Sequence, residues 1–292
     1  MDTARWEHVP FRAGDIVISA PPKCGTTWTQ MICALLIFQT PRFPRALDAV
    51  SLWPDALTHR LDEVLADLAA QPHRRFMKTH TPLDGLPFDD RVTYLTVARD
   101  PRDVAISWDN HIDNADLDVA MAMRAAAVGM DDLDPSAPTG IPERSESARD
   151  RFWSWIDNDD TLIGLPALCH HLSTFWQARD EPNVVLLHYD ELKSDLEGQM
   201  RGLAARLGIE VAEQSWPELL HAAGFDAMRG RASELAPEIT LWRDPRRFFH
   251  RGTSGQWREL LDGDDLRRYE ARVRELFEPD LARWVHRGPV IA

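Results

Sequence analysis

The chain has 292 residues, a length that suits one large α/β domain or two small ones. Its formal net charge of −14 argues against nucleic acid or an anionic membrane as the main partner, so a polyanion site would need a local concentration of Lys and Arg. The three cysteines form no CxxC pair, and the N-terminus lacks a signal-peptide pattern. The longest apolar run, ICALLIF, is too short to span a bilayer. These features together predict a cytoplasmic protein without stable membrane insertion.

Strand-like and helix-like patterns alternate along the chain. Apolar runs that predict strands occupy residues 15–19 (DIVIS), 74–80 (RRFMKTH), 92–98 (VTYLTVA) and 183–189 (NVVLLHY). A helix is predicted after the third run, where Asp100 can cap it and Pro101 fits its first turn. This alternation predicts a single α/β domain over 1–292, with a mostly parallel central sheet flanked by helices on both faces.

One long segment stands apart from this pattern. Residues 113–150 are polar and rich in Pro, Gly and Ser, especially toward their end. We expect a mobile insertion within the domain, which closes as a lid over a bound small molecule.

A small, donor-rich turn follows the first predicted strand. In SAPPKCGTTWTQ (19–30), the backbone N–H groups of Gly25, Thr26 and Thr27 would point into the turn, with a helix N-terminus behind them and the charge of Lys23 beside them. The pattern predicts an anion-binding loop, although an ordinary turn that caps a helix has the same residues. The Walker pattern is absent, which disfavours a nucleoside triphosphatase.

The second strand ends in MKTH, residues 77–80. Positions i and i+2 of a strand share a face, so Lys78 and His80 are predicted to point the same way. A neutral His beside a cation is a candidate general base. The alternative is a strand end with two solvated side chains.

Two further stretches carry basic residues. In ARDPRDVAISW (98–108), Arg99 stands at a strand end, and Ser107 lies two turns into the next helix; together they can bind an anion. The segment FFHRGTSGQW (248–257) is basic and Gly-rich, so its backbone donors can surround an anion. An Arg–Asp ion pair and a plain loop are the respective alternatives.

Taken together, the four stretches resemble the cytosolic-type sulfotransferases that use 3′-phosphoadenosine 5′-phosphosulfate (PAPS). That family carries Y-P-K-S-G-T-T-W, K-[TS]-H, R-[ND]-x-[KR]-D-x-x-x-S and R-K-G-x-x-G-[DQ]-W, and this chain has PPKCGTTW, KTH, RDPRDVAIS and HRGTSGQW in the same order. The resemblance runs from about residue 11 to about residue 277. It implies a phosphate loop related to the P-loops of nucleotide kinases.

The resemblance also implies roles for individual residues. His80 would be the general base, with Lys23 and Lys78 offsetting charge on the leaving phosphate. The residues that would bind PAPS are Lys23, Cys24, Gly25, Thr26 and Thr27 at the phosphosulfate, Trp28, Tyr189 and Phe225 at the adenine, and Arg99, Ser107, Arg251 and Gly252 at the 3′-phosphate. His250 stands where the family usually has Arg, so either it or one of Arg243, Arg246 and Arg247 would complete the 3′-phosphate site.

The implied reaction is in-line transfer of a sulfuryl group from PAPS to an oxygen or nitrogen of a small-molecule acceptor, without a metal ion. A phenol, an alcohol, a lipid or an amine would fit. The wall of the acceptor pocket is expected from 113–150, from 153–156 and from the end of the sheet, although Trp153 and Trp155 suit core packing better. A kinase and a non-catalytic nucleotide-binding protein are the alternatives. The family's C-terminal dimer motif is missing, which leaves the oligomeric state open.

Overall fold

A four-stranded parallel sheet forms the centre of the molecule. The structure, a computed structural model, describes residues 1–131, 144–159 and 163–287. The strands pair in the order β2-β1-β3-β4. They are β1 (Ile16–Ser19), β2 (Phe76–Thr79), β3 (Thr93–Ala98) and β4 (Val184–His188). All four predicted strands and their mostly parallel arrangement are therefore confirmed.

Both faces of the sheet are covered. Ile16 and Ile18 pack into one apolar core, whereas Val17, which points to the opposite face, packs into a second. This double burial explains why the strands are continuous apolar runs instead of alternating ones. The register pairs Ser19 with Thr79, so the carboxyl ends of β1 and β2 meet at one edge. Ligands of such folds bind beyond this edge.

Helices surround the sheet and make up most of the chain. Within the described ranges, no helix is both long enough and apolar enough to cross a membrane. The helices are α1 (Thr26–Phe38), α2 (Leu47–Val50), α3 (Leu61–Ala70), α4 (Pro101–Asn114), α5 (Leu117–Val128), α6 (Ala148–Ile156), α7 (Leu165–Gln177), α8 (Tyr189–Ser194), α9 (Leu196–Leu207), α10 (Trp216–Ala223), α11 (Phe225–Gly230), α12 (Ala232–Leu235), α13 (Pro245–Phe248), α14 (Gly263–Leu276) and α15 (Pro279–His286). Short 3₁₀ turns lie at Thr3–His8, Leu83–Gly85, Glu213–Ser215, Ile239–Leu241 and Gln256–Glu259.

Helix α4 begins as its sequence predicts. The Asp100 side chain accepts a hydrogen bond from the backbone N–H of Arg102, and Pro101 is the first helical residue. Because Arg99 directly precedes this cap, its side chain is fixed at the carboxyl end of β3, on the edge where ligands are expected.

The predicted insertion at 113–150 is in part helical. It contains the end of α4, all of α5 and the start of α6, and no residue of α5 is buried. Residues 132–143, which belong to the predicted lid, lie outside the described residues. The lid therefore stays a prediction.

Candidate active site

A cavity of about 640 Å³ opens at the carboxyl ends of the strands. It brings together every residue that the sequence predicted for the site except Cys24. The predicted residues that line it are Lys23, Gly25, Thr26, Thr27, Trp28, Lys78, His80, Arg99, Ser107, Tyr189, Phe225, Arg251 and Gly252. Four motifs that are far apart in the sequence thus form one site.

The loop after β1 has an unusual backbone. Gly25 precedes α1 with φ 117°, and Lys23, although not a glycine, has φ 69°. The chain therefore turns sharply twice, and Cys24 between the two turns is directed inward. The Cys24 side chain is fully buried in the core, and its backbone N–H donates to the carbonyl of Pro21. Cys24 is therefore not placed to contact a ligand in the cavity, in contrast to the prediction. Thr26 faces the cavity, and its buried Oγ1 has no hydrogen-bond partner among the described residues.

Arg99 joins this loop to the basic segment near the C-terminus. Its guanidinium donates to the carbonyl of Lys23 at 3.1 Å and to the carbonyl of Thr253 at 3.2 Å, and it lies 4.3 Å from the ring centroid of Tyr189. Its Nε is buried and unpartnered among the described residues. Arg99 thus binds carbonyls instead of a carboxylate, and it keeps a donor for a ligand.

Asp103 fixes the position of the basic segment. Its carboxylate accepts hydrogen bonds from the backbone N–H groups of Gly255 (2.7 Å) and Gln256 (2.9 Å). These bonds tie the loop that carries Arg251 and Gly252 to helix α4. Asp103 lies inside the predicted motif RDPRDVAIS, but sequence reasoning gave it no role.

Three aromatic side chains form a cleft beside the loop. The rings of Trp28 and Tyr189 meet edge to face, with centroids 5.3 Å apart. Both glycines of the site lie against this cleft: a Cβ on Gly25 would be 3.2 Å from Tyr189, and one on Gly252 would be 2.5 Å from Phe225. The close contact requires the absence of a side chain at both positions, and the cleft presents aromatic surfaces of the kind against which a purine ring packs.

His80 is held in one tautomer. Its Nδ1 lies 2.7 Å from the carbonyl oxygen of Ala20, so Nδ1–H donates and Nε2 keeps its lone pair. The turn that carries it is fixed by Asp55, whose carboxylate accepts from the hydroxyls of Thr79 (2.7 Å) and Thr81 (2.6 Å). Burial and the charge of Lys78 lower the pKa of His80 to about 4, which keeps the ring neutral at pH 7.

Lys78 lies beside His80, as the strand spacing predicts. Its Nζ is 4.1 Å from the ring centroid of Trp53, and the same ring meets His80 edge to face at 5.3 Å. Burial lowers the pKa of Lys78 to about 8. Burial, together with the charges of Arg99 and Lys78, lowers the pKa of Lys23 to about 7. The site therefore concentrates cations that a bound anion would stabilise.

Sequence reasoning also gave no role to Trp53 and His111, which contact the two lysines of the site. His111 Nδ1 accepts a hydrogen bond from Lys23 Nζ at 3.0 Å. It follows Ser107 by four residues on α4, a spacing that places both on one helix face and could have identified it. Trp53 lies in a loop between helices, where no periodicity points to it.

The remaining wall of the cavity is apolar and differs from our expectation. Among the described residues, none of 113–131 or 144–156 lines it. The wall comes instead from Trp53 and from a group of mostly apolar side chains: Met1, Trp108, Ile163, Pro237, Leu241, Trp242, Phe248 and Phe249. Trp153 and Trp155 are buried in the core, as their spacing favoured.

The basic residues around His250 differ in their access to the cavity. His250 and Arg247 line it, whereas Arg243 and Arg246 do not. Arg247 also pairs with the carboxylate of Asp113 on α4. Arg247 is therefore the arginine placed to supplement His250.

Comparison with known proteins identifies the family of this chain. The family model of the sulfotransferase domain matches residues 13–280. A glycolipid sulfotransferase of Mycobacterium bovis is 40% identical over 98% of this chain and 92% of its own length.

Solved structures share the fold. The structure of retinol dehydratase with androsterone and the inactive cofactor PAP has a TM-score of 0.69, at 22% identity over 96% of this chain and 87% of its own. A mouse sulfotransferase complexed with PAP has a TM-score of 0.69, at 19% identity over 97% of this chain and 91% of its own. The family match spans all four motifs that form the cavity. The chain therefore belongs to the sulfotransferase family.

Proposed function

We propose that this chain transfers a sulfuryl group from PAPS to a hydroxyl group of an amphiphilic acceptor, with His80 as general base. One observation carries the proposal. His80 presents a free Nε2 lone pair in the same cavity as the half-buried Lys23 and the buried Lys78, where the anion-binding loop meets the apolar wall.

The donor half of the cavity suits the nucleotide. Thr26 Oγ1 and Arg99 Nε are buried polar groups without partners among the described residues, and a phosphate or sulfate oxygen would supply one to each. Trp28, Tyr189 and Phe225 would pack against the adenine. Ser107, Arg251 and Gly252 would join Arg99 at the 3′-phosphate, and Lys23, Gly25, Thr26 and Thr27 would hold the phosphosulfate.

Catalysis would depend on the removal of one proton from the acceptor by His80 and on the positive charges of Lys23 and Lys78. PAPS supplies the sulfuryl group, which passes from a phosphate oxygen to the acceptor oxygen. His80 Nε2 takes the proton of the acceptor hydroxyl, and Lys23 and Lys78 offset the negative charge left on the phosphate. Anion binding between the lysines also cancels part of the positive field that lowers the pKa of His80, so its basicity rises when the donor is bound.

The acceptor half of the cavity favours a molecule with an apolar part. Trp108, Trp242 and Phe248 pack around the His111 ring, with centroids 4.7–6.2 Å from it, and leave an aromatic wall beside Lys23. The mycobacterial relative is named a glycolipid sulfotransferase. A hydroxyl group carried by a lipid-like acceptor is therefore the substrate class we propose.

A cytoplasmic location belongs to the same proposal. All three cysteines, Cys24, Cys33 and Cys169, are buried free thiols. Free thiols are the common state in a reducing compartment.

The experiment that tests the function is a transfer assay with isotopically labelled PAPS. The acceptor panel contains a phenol, an alkanol, an alkylamine and an alkyl glucoside, and both sulfated product and adenosine 3′,5′-bisphosphate (PAP) are quantified. We expect matched amounts of the two with a hydroxyl acceptor, and formation of both should be slower by at least ~10²-fold in the His80→Ala variant. Nucleotide binding without transfer to any acceptor would favour the non-catalytic alternative, and transfer from ATP with Mg²⁺ would favour the kinase.

A further inference from the structure

A second cavity lies beside the catalytic end of the first. It has a volume of about 230 Å³ and shares four wall residues with the large cavity: Trp53, Lys78, Pro237 and Glu238. A ligand group that contacts Lys78 from the reaction site is therefore next to both spaces. Part of an acceptor whose hydroxyl reaches His80 can extend into the smaller one.

The wall of this second cavity is rich in hydrogen-bonding groups. It contains the polar side chains of Asp48, Ser51, His59, Glu63, Asp67 and Glu238. The carboxylates are largely compensated: His59 Nε2 lies 3.1 Å from Glu238, and Asp67 and Glu63 have Arg45 and Arg60 at 3.7 Å and 3.6 Å. The carboxylate oxygens keep lone pairs that can accept hydrogen bonds from a ligand.

The shared wall supplies donors and a flat apolar surface. Lys78 is only 6% exposed, its ammonium group lies over the Trp53 ring, and that ammonium group makes no hydrogen bond to a described residue. The buried Nε1–H of Trp53 also lacks a partner in the described ranges. A ligand in this cavity therefore meets unpaired donors, acceptors and an aromatic ring together.

We propose that this second cavity binds the sugar ring of a glycosylated acceptor, while the lipid-like part lies against Trp108, Trp242 and Phe248. Sugar hydroxyls both donate and accept hydrogen bonds, and the C–H face of a pyranose packs on aromatic rings, which matches this mixed wall. An ammonium group fits less well, because Lys78 places a positive charge at the shared wall and three of the four carboxylates, those of Glu63, Asp67 and Glu238, already have a cation or His59 beside them. The inference rests on the proposed function, sulfuryl transfer at His80.

The test compares two acceptors of equal chain length, octyl glucoside and 1-octanol. Ala49 lines the second cavity but not the large one, so Ala49→Phe narrows the second cavity and replaces none of the residues proposed for catalysis. We expect kcat/KM for octyl glucoside to fall by about 10-fold or more, as for the loss of a hydrogen-bonded substrate group. The kcat/KM of Ala49→Phe for 1-octanol should stay within about two-fold of that of the unmodified chain. The control is Ala49→Ser, whose kcat/KM should match that of the unmodified chain with both acceptors.

A second variant removes two acceptor side chains from the polar wall. Glu63 and Asp67 lie toward the surface and make exposed ion pairs, so Glu63→Ala/Asp67→Ala should fold even if Ala49→Phe is unstable. We expect a higher KM for octyl glucoside alone. Three outcomes would each overturn the assignment of the sugar site. The first is an equal loss of kcat/KM with both acceptors, and the second is no loss of kcat/KM in either variant. The third is a preference of the unmodified chain for octylamine over octyl glucoside. If the unmodified chain sulfates 1-octanol but not octyl glucoside, the sugar site fails and the proposed function stands; if it sulfates no acceptor, the proposed function itself fails.

Discussion

Lys23 Nζ donates a hydrogen bond to Nδ1 of His111 at 3.0 Å, which joins the anion-binding loop to helix α4. The His111 ring is fixed by Trp242 and Phe248, with centroids 4.7 Å and 6.2 Å away. Burial and the charge of Lys23 lower the pKa of His111 to about 2, so the ring is a neutral acceptor at pH 7. The imidazole therefore positions the Lys23 amine at the edge of the donor site.

Replacing His111 tests this positioning role. In His111→Phe the aromatic packing remains but the acceptor is lost, and Lys23 is no longer held. We expect turnover to fall by about 10-fold, because small displacements of a charged group slow a reaction that depends on position. In His111→Asn, Oδ1 can replace Nδ1, so most of the activity should return.

The measurement for both variants is single-turnover transfer at saturating PAPS, with PAP affinity determined in parallel. A merely structural His111 would predict equal losses in His111→Phe and His111→Asn, accompanied by a lower melting temperature.

The sequence places Arg99 and His80 at one end of the sheet for a physical reason. Arg99 and His80 follow strands directly, and the carboxyl ends of parallel strands must meet at one edge. Their positions at the ends of these strands therefore bring the two side chains to the same edge of the sheet. The same reasoning places Lys78 next to His80, and the structure confirms it through the Trp53 ring that both contact.

The acceptor half could not be predicted in this way. Trp53 and Trp242 lie in loops, whose paths depend on tertiary packing that no local period encodes. Cys24 was assigned to the phosphate site because the family resemblance places it in the phosphate loop, but its side chain is buried in the core, between two residues with positive φ angles. A sequence pattern does not reveal the direction of a side chain in such a turn.

Nucleotide binding should depend on the 3′-phosphate. We expect PAP to raise the melting temperature, because a ligand that binds only the folded state stabilises it. AMP at the same concentration should raise it much less, since Arg99, Ser107 and Arg251 would lack their partner. Thermal melts with the two nucleotides measure this directly, and equal shifts would contradict the assignment of these residues.

Gly252 should be intolerant of a side chain. A Cβ there would lie 2.5 Å from the Phe225 ring, and the residue has φ +64°. Gly252→Ala should weaken PAP binding by about 10-fold, since an L-residue in this conformation costs about 1–2 kcal/mol and Phe225 must also move. The control is Gly202→Ala in α9, where a Cβ would meet no atom within 4 Å. Isothermal titration with PAP compares the variants, and equal affinities would show that Phe225 does not contact the nucleotide.

The lowered pKa of His80 predicts how stability depends on pH. The folded value is about 4 and the usual value 6.5, so between these pH values the unfolded chain binds the proton more readily. The contribution of the neutral ring to stability is complete above pH 6.5 and is lost as the pH falls toward 4. Lowering the pH from 7 to 4.5 should therefore destabilise the unmodified chain more than His80→Gln, as measured by urea unfolding. Parallel curves for the two proteins would show that the ring is not buried as a neutral group.

Substitution of His80 separates chemistry from binding. His80→Ala removes the Nε2 base but none of the groups proposed to hold the nucleotide, so the rate should fall by ~10²–10⁴-fold while PAP affinity stays nearly unchanged. Lys23→Ala should weaken PAP binding as well as slow turnover, because Lys23 is proposed to contact the ligand both before and during transfer. Lys78→Ala should mainly lower turnover. PAP titration and single-turnover transfer for the three variants decide the roles, and near-normal turnover of His80→Ala on a good acceptor would show that another group takes the proton.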